Sequence, residues 1–127
     1  MLRGASAWLL AACAVLISQG ALGVSLSASL RNFYTEYEVV KQCLEQAQLS
    51  AADGETAKAA IAKIETHYLE RDASIKKEVL LKEAVANKDE GFRIATRSLK
   101  SNLRQYCRAT LNELLAKAGE IDAISKR

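Results

Sequence analysis

Not one proline occurs in the 127 residues. Average usage is about one proline in twenty residues. Proline breaks helix interiors and is common in the turns of β-rich folds, so a chain of this length without it is free to be almost wholly helical. Abundant Ala, Leu, Lys and Glu point the same way, because these residues lose little side-chain freedom in a helix. The length suits one domain rather than two.

The first 23 residues read as an address. Met1-Leu2-Arg3 is a short positive start, Ala5 to Leu22 carries no charge, and the stretch from Trp8 to Ile17 is densely apolar. Ser18-Gln19-Gly20 then lowers the hydrophobicity, and Ala21-Leu22-Gly23 offers small residues three and one before a cut. This is the layout of a secretory signal peptide cleaved after Gly23. Three other readings compete. An uncleaved leader approaches the roughly 20 residues needed to span a bilayer. Leu10-Ala11-Ala12-Cys13 resembles a bacterial lipoprotein motif, but apolar Ala14 to Ile17 follows instead of a polar tether. Organellar presequences are amphipathic, which this segment is not. The expected organisation is a signal peptide over 1–23 and a single helical domain over 24–127, located in the periplasm or secreted. Retention of the leader or lipidation of Cys13 gives the membrane-anchored alternative.

Apolar spacings of three and four predict the helices. Leu30, Phe33, Tyr37, Val40, Leu44 and Ala47 line a first helix over 26–49. Ala57, Ile61, Ile64 and Tyr68 line a second over 55–70, with Ser50 or Asp53 as its cap. A third follows over 75–86, with Ile75, Val79, Leu80 and Val85 apolar and with Asp72 or Ser74 as a cap. Residues 71–74 and 87–91 are the candidate breaks. Phe92, Leu99, Leu103, Tyr106, Thr110 and Leu114 place one long last helix over 90–117, with Gly119 as its stop and a frayed tail over 120–127. The fold class expected is all-α, a small bundle of three to four helices.

Cys43 and Cys107 are the two cysteines beyond the leader. Export carries a chain into an oxidising compartment, where such a pair forms an intrachain disulfide between the first and last helices. No Cys-x-x-Cys is present to support redox catalysis.

Catalytic equipment is sparse. His67 is the sole histidine, and one imidazole with scattered carboxylates is not a zinc ligand set. The six glycines are isolated and half lie in the leader, so no phosphate loop is formed. No metal, cofactor or catalytic residue is expected, and the chain reads as a non-enzyme.

One pattern stands out. Between Gly91 and Asn112 there are five basic residues and no acidic ones: Arg93, Arg97, Lys100, Arg104 and Arg108. On a continuous helix they occupy a stripe roughly 80° wide, separate from the apolar line. Four of the five are Arg, suited to bidentate contacts with carboxylate or phosphate. The functional expectation is docking of a protein partner or an anionic surface. The structural alternative is neutralisation by Glu36, Glu45 and Glu65 of neighbouring helices. Nucleic acid is disfavoured: the formal charge is only +3, falling to +2 without the leader, and aromatic platforms are lacking. The expected function is therefore an exported binding or interaction module. A small holdase that exposes its apolar face when loosened by acid or reduction is the alternative.

Trp8 is the sole tryptophan. If the leader is removed, material recovered from the exported compartment begins at Val24 by intact mass and shows tyrosine emission only. Recovery of a tryptophan-bearing chain starting at Met1 contradicts cleavage.

Overall fold

A computed structural model describes residues 26–98 and 102–126. The expected leader with Cys13, and also Lys100, lie outside these residues. The described residues form four helices and no strand: α1 (26–45), α2 (Ala51–Arg71), α3 (Lys77–Ser98) and α4 (Leu103–Ser125). The all-α bundle read from the sequence is the fold observed, and Cys43 and Cys107 form its disulfide with Cα atoms 5.9 Å apart.

Paired side chains give the direction of each helix. Along α1 and α4, Cys43 meets Cys107 and Lys117 Nζ lies over the Phe33 ring, so the two run antiparallel. Phe33 and Tyr34 face Tyr68 and Glu65 while Leu44 packs on Gly54, so α2 is also antiparallel to α1. Arg31 reaches Glu83 at one end, and Gln42 and Gln46 share a groove with Phe92 and Thr96 at the other, so α3 runs parallel to α1. The result is up-down-up-down connectivity. α2 packs along the length of α4, whereas α3 meets α4 over a short stretch. The core lies where α1, α2 and α4 converge: Leu30, Val40, Cys43, Ile64, Cys107, Leu111 and Leu114 are almost or entirely excluded from solvent. Leu80, Ala84 and Phe92 bring α3 onto this core.

The helix ends are set by local chemistry. α1 stops four residues earlier than the periodicity predicts. Its end is a Schellman arrangement in which Gln48 N–H donates to Cys43 O at 2.8 Å and Ala47 N–H to Leu44 O at 3.1 Å. Ala47 occupies the left-handed position with φ 57° and is exposed, so it is a helix terminator and not part of the apolar stripe. Ser50 caps α2 in a capping box: Asp53 N–H donates to Ser50 Oγ at 3.1 Å, and Ser50 N–H to Asp53 Oδ2 at 3.0 Å. At 71–74 the expected break is real. Asp72 ends α2, its carboxylate accepting from Ser74 N–H at 3.0 Å, so it shapes the turn and does not cap α3.

Two expectations about the second half are corrected. Residues 87–91 are helical, because Ala84, Phe92 and Ala95 carry one buried line through them. Gly91 serves packing instead of a turn: a Cβ there would lie 3.2 Å from the Tyr106 hydroxyl, and Tyr106 sits edge-on to Phe92 at 5.7 Å. The long last helix over 90–117 is instead two helices. α3 is parallel to α1 and α4 antiparallel, so the chain reverses between Ser98 and Leu103. At the other end Gly119 does not stop α4, and the tail does not fray. Buried Ile121 and an Asp122–Lys63 ion pair at 2.7 Å hold α4 through Ser125.

Two outcomes follow from these observations. Ala47→Gly relieves the left-handed strain and stabilises by up to about 1 kcal/mol in denaturant unfolding. Replacing both cysteines by alanine opens the loop between α1 and α4 and lowers stability by about 4 kcal/mol on the chain-entropy model, as measured by urea unfolding with m fitted separately for each protein, since the unlinked unfolded chain is more expanded.

Candidate functional site

The reversal after Ser98 divides the predicted basic stripe. Arg93 and Arg97 belong to α3, Arg104 and Arg108 to α4, and Lys100 lies outside the described residues. They no longer form one helical face. All four sit near the end of the bundle that holds the disulfide, the close of α1 and the start of α2, because Cys107 of α4 is bonded to Cys43 there.

Two of the four are neutralised locally. Arg93 Nε donates to Glu90 Oε2 at 3.0 Å, one turn earlier on the same helix, and this contact holds the Glu90 carboxyl below its usual range. Arg108 places its two terminal nitrogens 3.2 and 3.1 Å from the two oxygens of Asp53, a bidentate pair. Asp53 is drawn down to about 2, first by the Ser50 backbone N–H and then by Arg108. One carboxylate thus closes the α2 capping box and also ties α2 to α4. The acids expected to neutralise the stripe act elsewhere or not at all. Glu65 accepts from the Tyr34 hydroxyl at 2.6 Å and from Lys77 at 3.1 Å. That acceptor, after burial, keeps the Tyr34 phenol protonated well above its ordinary range. Glu45 makes no ion pair among the described residues, and Glu36 meets another carboxyl.

Arg97 and Arg104 remain. Both are exposed, and among the described residues neither has an acidic partner within 4 Å. Arg97 lines an open groove of about 570 Å³ between the ends of α1 and α3. Gln42 and Gln46 form one wall, Phe92 the floor, and Thr96 with Arg93 and Arg97 the other. Asp89 is also on its rim, with its carboxylate held by Lys88 at 2.7 Å. Amide and guanidinium donors flanking a phenyl ring suit a ligand that offers oxygen acceptors next to an apolar group.

A second groove, of about 520 Å³, runs between α2 and α4 past His67, Lys63, Arg71 and Asp122. His67 lies edge-on to Tyr68 at 5.4 Å. Burial, then the charges of Arg71 and Lys117, push its imidazole below the usual histidine range, so it is neutral near pH 7. Lys63 is engaged by Asp122 and Arg71 donates to the His67 carbonyl at 3.0 Å, while Glu70 and Arg71, of opposite charge, both line the groove, so no single sign of charge dominates it. No cluster of metal-ligating side chains occurs among the described residues.

A third groove, of about 370 Å³, lies between α1 and α4 and contains the feature that sequence reasoning missed. Glu36 of α1 and Glu113 of α4 line it together, and Glu36 Oε2 is enclosed there without a hydrogen-bond partner. Their separation of 77 positions hides the pairing in the sequence, and only the antiparallel register imposed by the disulfide brings them together.

The chain matches no protein-family model, no curated protein and no solved structure.

Proposed function

We propose that this protein is a non-enzymatic binding module of an oxidising, extracytoplasmic compartment, and that it holds an acidic protein segment at the groove between α1 and α3 lined by Arg97, and at Arg104 near the same end of the bundle. The observation that carries this reading is the contrast within the arginine set. Arg93 and Arg108 are matched by acids of the same chain, whereas Arg97 and Arg104 are exposed on α3 and α4 without one among the described residues. A guanidinium in water gains little from staying unpaired, but it keeps its five donors available for a carboxylate of another molecule. Gln42, Gln46 and Thr96 supply further polar groups along the groove, and Phe92 supplies an apolar base. The leader and the disulfide support the compartment, since pairs of this kind persist where thiols oxidise.

The test is a titration of the oxidised protein with a fluorescent peptide that alternates glutamate with leucine, at low and physiological salt. Arg97→Glu combined with Arg104→Glu is expected to weaken binding about tenfold or more, while the far-UV spectrum keeps its helical shape. Undiminished binding by the double variant removes this surface as the docking site. Binding to anionic vesicles but not to the peptide replaces the acidic protein with a membrane surface.

A further inference from the structure

We propose that Glu36 and Glu113 form a proton-dependent clasp between α1 and α4, which holds the two helices together in acid and repels them as the medium becomes alkaline.

The geometry leads to this directly. Glu36 Oε2 is shut off from solvent and receives no hydrogen bond from any N–H or O–H of the protein. Across the groove that it lines stands another carboxyl, that of Glu113. Two carboxylates are both acceptors and both negative, so their contact is favourable only when one carries a proton and donates it to the other. Glu36 is the more enclosed of the two, while Glu113 is exposed, so the proton resides on Glu36. Burial, followed by the hydrogen bond and the charge of Glu113, raises its carboxyl from 4.5 to about 9.

Among the described residues, no basic side chain forms an ion pair with Glu36 or Glu113. From α4, Tyr106 faces Glu36 with a phenol that burial and then Glu36 itself push upward, so it does not ionise to take part. Lys117 and Glu120 of α4 line the same groove, but Lys117 Nζ lies over the Phe33 and Tyr68 rings, 5.8 Å from each centroid. On α1, Arg31 turns to Glu83 of α3 at 3.0 Å. The remaining charged groups where α2 and α3 meet the core are engaged as well: Glu65 with Tyr34 and Lys77, Lys88 with Asp89.

The sign follows from linkage. Below the ordinary 4.5, Glu36 is protonated in both the folded and the unfolded chain, and the clasp adds its full stability. From there to about 9 the unfolded chain releases the proton while the folded chain retains it, so stability declines steadily with rising pH. Beyond that value the folded chain must also hold a buried charge beside Glu113, and the clasp is lost.

Two measurements on the oxidised full chain test this. In ¹³C NMR the Glu36 side-chain carboxyl is expected to titrate with a midpoint above 7, while exposed carboxyls titrate in their usual range. A Glu36 midpoint below 6 overturns the proposal whatever the variants do. Thermal unfolding of the wild type, Glu36→Gln and Glu113→Gln between pH 4.5 and 9.5 gives the second readout. Glutamine at 36 donates permanently to Glu113, so Glu36→Gln should match the wild type at pH 4.5 and exceed its midpoint by about 5 °C or more at pH 9. Glutamine at 113 donates to the ionised Glu36, so Glu113→Gln should flatten the alkaline decline. Parallel curves for the wild type and Glu36→Gln refute the clasp.

Discussion

The buried Cys43–Cys107 bond sets the register on which most of this molecule depends. Both cysteines are fully excluded from solvent, and the bond joins α1 to α4 at the end where α2 also begins. Once these two positions are fixed and the helices run antiparallel, the contacts farther along follow from helical repeat alone. Seven residues before Cys43 and six after Cys107 stand Glu36 and Glu113; ten before and ten after stand Phe33 and Lys117. A slip of one residue would rotate each side chain by about 100° and scatter both pairings. The bond also determines the topology, because it draws α4 back along α1 and so requires the chain to turn after α3.

Around this axis close approaches of small residues accompany the packing of bulky ones. Gly54 stands at the first turn of α2, where a Cβ would come within 2.8 Å of Leu44, and Gly91 stands where Tyr106 leans on α3. Small residues at Ala57, Ala60, Ala84 and Ala118 are buried along the same helices. The polar ties between helices are partly exposed, as with Arg31–Glu83 and Lys63–Asp122, and contribute little individually. Apolar burial and the covalent link therefore carry the fold, and the exposed ion pairs add little to it.

The all-α class, the first two helices, the disulfide and the turn at 71–74 were legible in the residues because each depends on local spacing or on a single pair of cysteines. The start of α2 was legible to within a few residues, since Ser50 and Asp53 act together and not as alternatives. What escaped is where a continuous apolar line conceals a reversal. Phe92, Leu99, Leu103, Tyr106 and Thr110 keep helical spacing across the join of α3 and α4, with neither glycine nor proline to interrupt them. Conversely, Asn87 to Gly91 has the composition of a break but stays helical because tertiary contact at Phe92 and Gly91 outweighs weak propensity. The basic stripe is divided by the same reversal, which leaves Arg93 and Arg97 on α3 and Arg104 and Arg108 on α4.

The distribution of charge shows why a count of residues could not reveal the site. Acids nearest in sequence or topology take up Arg93 and Arg108, and Asp53 does so while also capping a helix, so removing its charge would loosen two elements at once. Elsewhere the chain sets two acids against each other with no cation between them, although the whole molecule has a basic surplus. Neither arrangement minimises electrostatic energy as a whole. Arg97 and Arg104, exposed without an acid among the described residues, and the Glu36 and Glu113 carboxyls farther along α1 and α4 represent stabilisation left unused within the chain. The first can be recovered by an acidic ligand, the second only by a proton. A clasp of that sign would tighten in acid, the opposite of a fold that loosens there to expose its core.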